Sequence, residues 1–252
     1  MAPEATTPSV IAPLQRANHG SHFRAYGLRG MAALIDPFLG VDHAWMRAPT
    51  FPPHPHAGLS AVSYLFLDSE TGIDNRDSIG TRNLIRPGGL HWTTAGSGIV
   101  HEEVPAETGK TVHSLQIFVG LARERQDMAP FALRLEPQDV PVVQLPGAKV
   151  RVPVGRFGGT CSPLNPPTDV TMLDLSLEAG AELVVPVAAG HCAFVMPIFG
   201  TAMVDGLSFG LNDLKLPVFP ARDAPRAITL RAPLGSTKVM LFAGPPLHAA
   251  ST

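Results

Sequence analysis

Thr171-Met172-Leu173-Asp174-Leu175-Ser176-Leu177 is the stretch that decides the fold class. Leu173, Leu175 and Leu177 alternate with Asp174 and Ser176, so an extended chain carries the leucines on one face and the polar residues on the other. The same period of two recurs on either side. Lys149 to Phe157 places Val150, Val152 and Val154 on one face, and Ala61–Leu67, Ser114–Leu121, Ala193–Ala202 and Lys238–Phe242 continue the pattern. Turn signals separate these runs: Pro87-Gly88-Gly89, Pro146-Gly147, Ala179-Gly180, Asp205-Gly206 and Gly244-Pro245-Pro246. The 26 prolines and 24 glycines are spread between apolar runs, which marks them as turn residues and not low complexity. Long amphipathic helical stretches are missing. Many short strands with frequent turns predict an all-β sandwich or barrel.

A length of 252 residues suits one large domain or two of moderate size, and an apolar fraction of 45% supplies a packed core. Ala122–Pro146 is rich in charge and proline and alternates poorly, so it is expected to connect two units, with a short helix near Ala122–Met128. The expected division is residues 1–125, a connector at 126–148, and residues 149–252. The two units are similar in size, as a duplicated barrel requires. Eight of the ten histidines lie at or before His113, so chemistry is expected in the first unit. A net charge of −2 without a dense Lys/Arg run disfavours a nucleic-acid partner. Pro3, Pro8 and Pro13 interrupt Met1–Asn18, so no signal peptide is expected there, and no run of about 18 apolar residues suggests a membrane span. Cys161 and Cys192 are expected as reduced, packed thiols, and the cytoplasm is the expected compartment.

The chemistry concentrates in two short segments. In Phe51-Pro52-Pro53-His54-Pro55-His56-Ala57-Gly58, the imidazoles at i and i+2 share a face of an extended chain, and the prolines stiffen the approach. In Gly96-Ser97-Gly98-Ile99-Val100-His101-Glu102-Glu103, His101 and Glu103 again share a face while Glu102 points away. The glycines before them suit a tight turn. Together the half-sites offer three imidazoles and one carboxylate, a set suited to one divalent ion of iron, manganese, nickel, copper or zinc with coordination positions left open. A solvated cluster without metal is the competing reading, because His-x-His in a proline loop and an acidic run both occur on ordinary surfaces.

These residues resemble the pirin family of the cupin superfamily. The resemblance runs through Asp36-Pro37-Phe38-Leu39, His54-Pro55-His56-x-Gly58, Val62-Ser63-Tyr64, Arg76-Asp77-Ser78-x-Gly80, Pro87-Gly88, Trp92-x-Thr94-Ala95-Gly96-x-Gly98-Ile99-x-His101-x-Glu103 and His113-x-Leu115-Gln116. The second half matches more loosely, at Leu173-Asp174, Gly180-Ala181 and Ala243-Gly244-Pro245-Pro246-Leu247. The resemblance implies two tandem cupin-type jelly-roll β-barrels, with iron as Fe(II) on His54, His56, His101 and Glu103 in the first and no metal in the second. Most cupins take their carboxylate from the first motif. Ser60 stands in that neighbourhood here, so the carboxylate falls to Glu103. The sequence departs from the family at Ala57 (commonly Arg), Leu59-Ser60-Ala61 (Phe-Glu-Thr), Asn75 (His), His91 (Gln) and Thr93 (Met), and the usual tail after Leu247 is missing.

The resemblance implies a quercetin 2,3-dioxygenase-like enzyme acting on a small aromatic flavonol or catechol, with Glu103 as both ligand and catalytic base. The alternative it implies is a metal- or redox-sensing regulator with a protein partner. A third reading leaves the metal structural. His91, Trp92 and Gln116 are the candidate substrate-pocket residues, with core packing as the competing role for Trp92. His43 and His113 read as half-buried histidines, and His19, His22 and His248 as solvated ones.

Overall fold

The computed structural model describes residues 10–248. Residues 1–9, where part of the stretch read as leaderless falls, and residues 249–252 lie outside the described residues. Strands build two barrels, in agreement with the tandem jelly-roll expectation. In the first, a seven-stranded antiparallel sheet runs in the order Phe131–Leu135, Leu90–Thr94, Leu59–Leu65, Val112–Gly120, Phe38–Met46, Phe23–Leu28, Gln15–His19. It faces a four-stranded sheet ordered His54–His56, Ile99–Pro105, Ile73–Asp77, Arg82–Ile85. The second barrel repeats the plan. Its seven strands run Val10–Pro13, Lys215–Phe219, Cys192–Phe199, Thr237–Gly244, Thr171–Leu177, Ala148–Val154, Val142–Leu145, opposite Glu182–Val187, Arg226–Arg231, Thr201–Val204 and Leu207–Gly210.

Sheet membership interlaces the barrels. Val10–Pro13 pairs with Lys215–Phe219 in the second barrel, although it opens the described chain. Residues 126–148 supply a strand to each barrel: Phe131–Leu135 joins Leu90–Thr94, and Val142–Leu145 joins Ala148–Val154. The helix expected near Ala122–Met128 is only a 3-10 turn at Arg123–Arg125. Among the described residues no helix is long and apolar enough to cross a membrane.

Strand alternation explains where the cores sit. Along Leu59–Leu65 and Val112–Gly120, the residues Val62, Tyr64, Leu115, Ile117 and Val119 leave the first barrel and meet Met172, Phe194, Met240 and Phe242 of the second. Phe38 packs edge-on against Phe194 and Phe242, which stack on each other with ring centroids 4.7 Å apart. The second barrel is filled by a cluster that includes Val150, Val152, Leu173, Leu175, Leu177, Val185 and Ile228. Inside the first barrel the apolar cluster shrinks to Met46, Leu65, Ile73, Ile85 and Val112. The rest of that interior is a cavity whose aromatic and alanine walls carry scattered polar groups such as Ser63, Ser114 and Gln116.

Two details differ from the alternation read in the sequence. Val154 leaves the face of Val150 and Val152 and joins the layer between the barrels, because a bulge between Arg151 and Val154 adds a residue and reverses the alternation. Asp174 lies opposite the leucines, as expected, but that face is buried against the first barrel. There it accepts a 2.8 Å hydrogen bond from Tyr64 Oη and sits 3.1 Å from Lys238 Nζ. Both cysteines are free. Cys192 is buried, its Sγ donating to the Asp36 carbonyl oxygen at 3.1 Å, whereas Cys161 is exposed and not packed as expected, because its two-residue strand pairs only with Arg156–Phe157.

Candidate metal centre

The two half-sites are neighbouring strands. His54–His56 pairs antiparallel with the start of Ile99–Pro105, with His101 opposite His54 and Ile99 opposite His56. The turns behind them are tied by a 2.8 Å hydrogen bond from Gly58 N to the Gly96 carbonyl oxygen. Gly96 adopts a φ of +51°, and a Cβ there would lie 2.1 Å from the Met128 carbonyl oxygen, so both backbone shape and space demand glycine.

The period-two expectation holds at atomic detail for the histidines. His54, His56 and His101 place one ring nitrogen each within 4.8 Å of one another, a group able to hold a metal ion. His56 Nε2 and His101 Nε2 are 3.1 Å apart. His54 Nδ1 lies 2.9 Å from the Pro52 carbonyl oxygen. Nδ1 therefore carries the hydrogen and donates, which leaves the Nε2 lone pair free for a cation. Burial, reinforced by the neighbouring imidazoles, pushes His101 down to about 3, and burial likewise lowers His56. Neutral imidazoles with converging lone pairs are what a transition-metal ion requires, so this donor set fits one.

Glu103 occupies the same cavity but lies outside the group of three converging nitrogens. Its two carboxyl oxygens are 2.9 and 2.7 Å from Ser63 Oγ, and that hydroxyl is also 3.1 Å from Gln116 Oε1. One hydroxyl has a single hydrogen to share among three acceptors. The cluster is satisfied when Glu103 is protonated and donates to Ser63 Oγ, freeing Ser63 to donate to Gln116, or when a cation takes up a carboxylate oxygen. Burial pushes the Glu103 carboxyl up to about 7, against the hydrogen bond from Ser63. Glu102 points away, as the alternation predicts, and pairs with Arg76 at 2.8 Å.

The cavity beside the histidines encloses about 390 Å³. Gln116 lines it, as expected. His91 does not reach it. Its ring is buried behind the site, with Nε2 3.3 Å from Asn75 Nδ2, and burial lowers its pKa to about 4. Trp92 is not a pocket residue: alternation sends it to the opposite face from His91, into the apolar layer between the barrels. His19 is exposed, as expected, and its ring also packs edge-on against Phe23 and Phe51 at the cavity wall. His43 and His113 lie on the outer face of the sheet, with Nε2 atoms 2.7 Å apart. The sequence reading missed Arg29, Asp42, Phe51 and Phe118 as cavity walls. The signal for Phe118 was its parity with Gln116. Arg29 and Asp42 carried no local motif.

A family model described as Pirin matches residues 22–119. Over 230 residues the chain is 32% identical to "Putative quercetin 2,3-dioxygenase PA3240" of Pseudomonas aeruginosa, a match covering 85% of this chain and 77% of that protein. It is 32% identical over 199 residues to Pirin of Mus musculus, covering 79% of this chain and 68% of the mouse protein. The 1.78 Å crystal structure of quercetin 2,3-dioxygenase from Acinetobacter baumannii superposes with a TM-score of 0.81 at 26% identity, covering 95% of this chain and 79% of that one.

Proposed function

This chain belongs to the pirin family, and from that premise we propose that it is a metal-dependent dioxygenase of the quercetin 2,3-dioxygenase kind, acting on a flavonol or catechol in the first barrel. The observation that carries this reading is the convergence of three imidazoles at the wall of an aromatic-lined cavity. His54, His56 and His101 would hold the ion, with Glu103 as fourth ligand; iron is the metal proposed. A bound divalent ion supplies Lewis acidity toward a substrate hydroxyl and, if redox-active, electrons for dioxygen chemistry. The chain's own residues do the rest. Glu103 accepts the hydroxyl proton on a carboxylate oxygen left free of the ion. Ser63 fixes the orientation of that carboxylate. Phe23, Phe51 and Phe118 give flat apolar walls that exclude water and accept a planar ring.

The test is elemental analysis of protein purified without added metal, followed by oxygen uptake and loss of quercetin's visible absorbance. Turnover should follow metal content and vanish in His101→Ala. Equal rates in the wild type and His101→Ala would remove the basis for this reading.

A further inference from the structure

The cavity has a second chemically distinct end, away from the histidines. Arg29 and Asp42 both line it, and their side chains form an ion pair through Arg29 Nη2 and Asp42 Oδ2. Asp42 sits opposite Gln116 in one strand pairing and opposite Gly27 in the other, so its carboxylate projects inward. Two glycines clear the space. A Cβ on Gly27 would lie 2.4 Å from Asp42 Oδ1, and one on Gly40 would lie 2.6 Å from Arg29 Nη1. Neither glycine has a positive φ, so each is explained by room for the pair and not by backbone shape.

Phe118 links the two ends. Its ring centroid is 5.7 Å from that of His56, and the Arg29 guanidinium carbon is 5.8 Å from the same ring. One aromatic side chain thus spans from the imidazole cluster to a guanidinium. Arg29 gives Asp42 one nitrogen, and a guanidinium carries five N–H donors in a planar fork. The remaining donors are available at the wall of a cavity that is otherwise largely apolar. Arg16, the other arginine there, is exposed and lies over Tyr26, 5.8 Å from that ring, whereas the contact to Phe118 is made by Arg29.

We infer that Arg29 is a specificity-determining residue, and that the preferred ligand is an aromatic hydroxy acid. Its hydroxyl end faces His54, His56 and His101, its ring lies along Phe118, and its carboxylate meets the Arg29 guanidinium. This inference rests on the reading of the cavity as a substrate site, and it narrows the substrate from any flavonol or catechol to one with an acidic group. Charge-assisted pairing to a planar guanidinium is strong and directional. An analogue without the acidic group forgoes that charge-assisted pair and leaves the half-exposed guanidinium to Asp42 and water, so the site discriminates against it. Asp42 competes with the ligand carboxylate for the same fork and holds Arg29 in place when the cavity is empty.

The test measures binding and not turnover. Zinc-loaded protein is titrated in a calorimeter, without dioxygen, with protocatechuate, caffeate and the methyl ester of each. The wild type should bind at least one acid about tenfold more tightly than its ester. Arg29→Met should bring that ratio close to one. Asp42→Asn, which frees the guanidinium, should raise it, so the two variants move in opposite directions and a general loss of folding cannot imitate the pattern. A wild-type ratio near one, a ratio that survives Arg29→Met, or no binding of any of the four compounds would overturn the inference. Absence of quercetin turnover would instead count against the dioxygenase reading and leave this ratio measurable.

Discussion

Replacing Glu103 by Gln should shift the metal-free and metal-loaded proteins in opposite directions. Glu103 is half-buried at the cavity wall, and its carboxyl is raised from 4.5 to about 7, with desolvation as the main cause. A folded-state value above the unfolded one means that the group's contribution to stability is fully present below pH 4.5 and is lost as pH rises through 7. At about 1.4 kcal/mol per pH unit, ionising this carboxyl costs the metal-free fold about 3 kcal/mol at pH 8. Gln cannot ionise. In denaturant unfolding after chelation, Glu103→Gln should therefore exceed the wild type by up to about 3 kcal/mol at pH 8 and by less than about 1 kcal/mol at pH 5. Rearrangement around Ser63, which holds both carboxyl oxygens, trims the gain. With metal present the order reverses. A cation stabilises the carboxylate and makes its ionisation favourable, and Gln loses that, so metal affinity should fall at least about tenfold. A variant no more stable than the wild type at pH 8 without metal, or one with unchanged metal affinity, would refute the reasoning.

Other perturbations have separate readouts. Gly96→Ala forces a Cβ into the Met128 carbonyl at a positive φ; it should lower unfolding stability by more than about 1 kcal/mol and weaken metal retention, measured by competition with a chelator. Trp92→Ala empties part of the layer between the barrels and should cost about 3–5 kcal/mol, while metal content per folded molecule stays at the wild-type value. His91 has a folded value near 4, below its ordinary 6.5, so its contribution is present above pH 6.5 and is lost as pH falls toward 4. Thermal unfolding of metal-free His91→Gln should accordingly fall less steeply with acid over that window.

The fold was legible because its strands alternate cleanly where one face is buried. Thr171–Leu177 has the bounds that its leucines suggest, and His54, His56 and His101 converge as i, i+2 spacing on extended chain requires. What escaped the reading has a common cause: a period of two shows which residues share a face, but not what that face meets. Asp174 read as the polar face of its strand, yet it bonds to Tyr64 across 110 residues because both outer faces are buried against the opposite barrel. The Arg29–Asp42 pair depends on register between neighbouring strands, and nothing local announces it. Sheet swapping by Val10–Pro13 is equally non-local.

The asymmetry between the barrels carries the functional argument further than any single motif. In a tandem fold whose seven-stranded sheets pack against each other, each such strand has one face toward the partner barrel and one toward its own interior. The partner-facing residues are largely apolar in both halves, Val62, Leu115 and Ile117 in one and Met172, Phe194 and Phe242 in the other, and the polar ones among them, such as Tyr64 and Asp174, pair with each other. The interior faces differ. In the second barrel they read Val150 and Val152, then Leu173, Leu175 and Leu177, and they pack solid. In the first, Ser63, Ser114, Gln116 and Glu103 face inward beside Phe118, groups that cannot close into a dry core without leaving polar atoms unmatched. Ser63, Glu103 and Gln116 bond to one another, but one hydroxyl cannot satisfy three acceptors, and a cavity remains beside them with polar groups to offer a ligand. The histidines mark where a cation would enter that space, and the serines and glutamine on the sheet behind them are why the space exists.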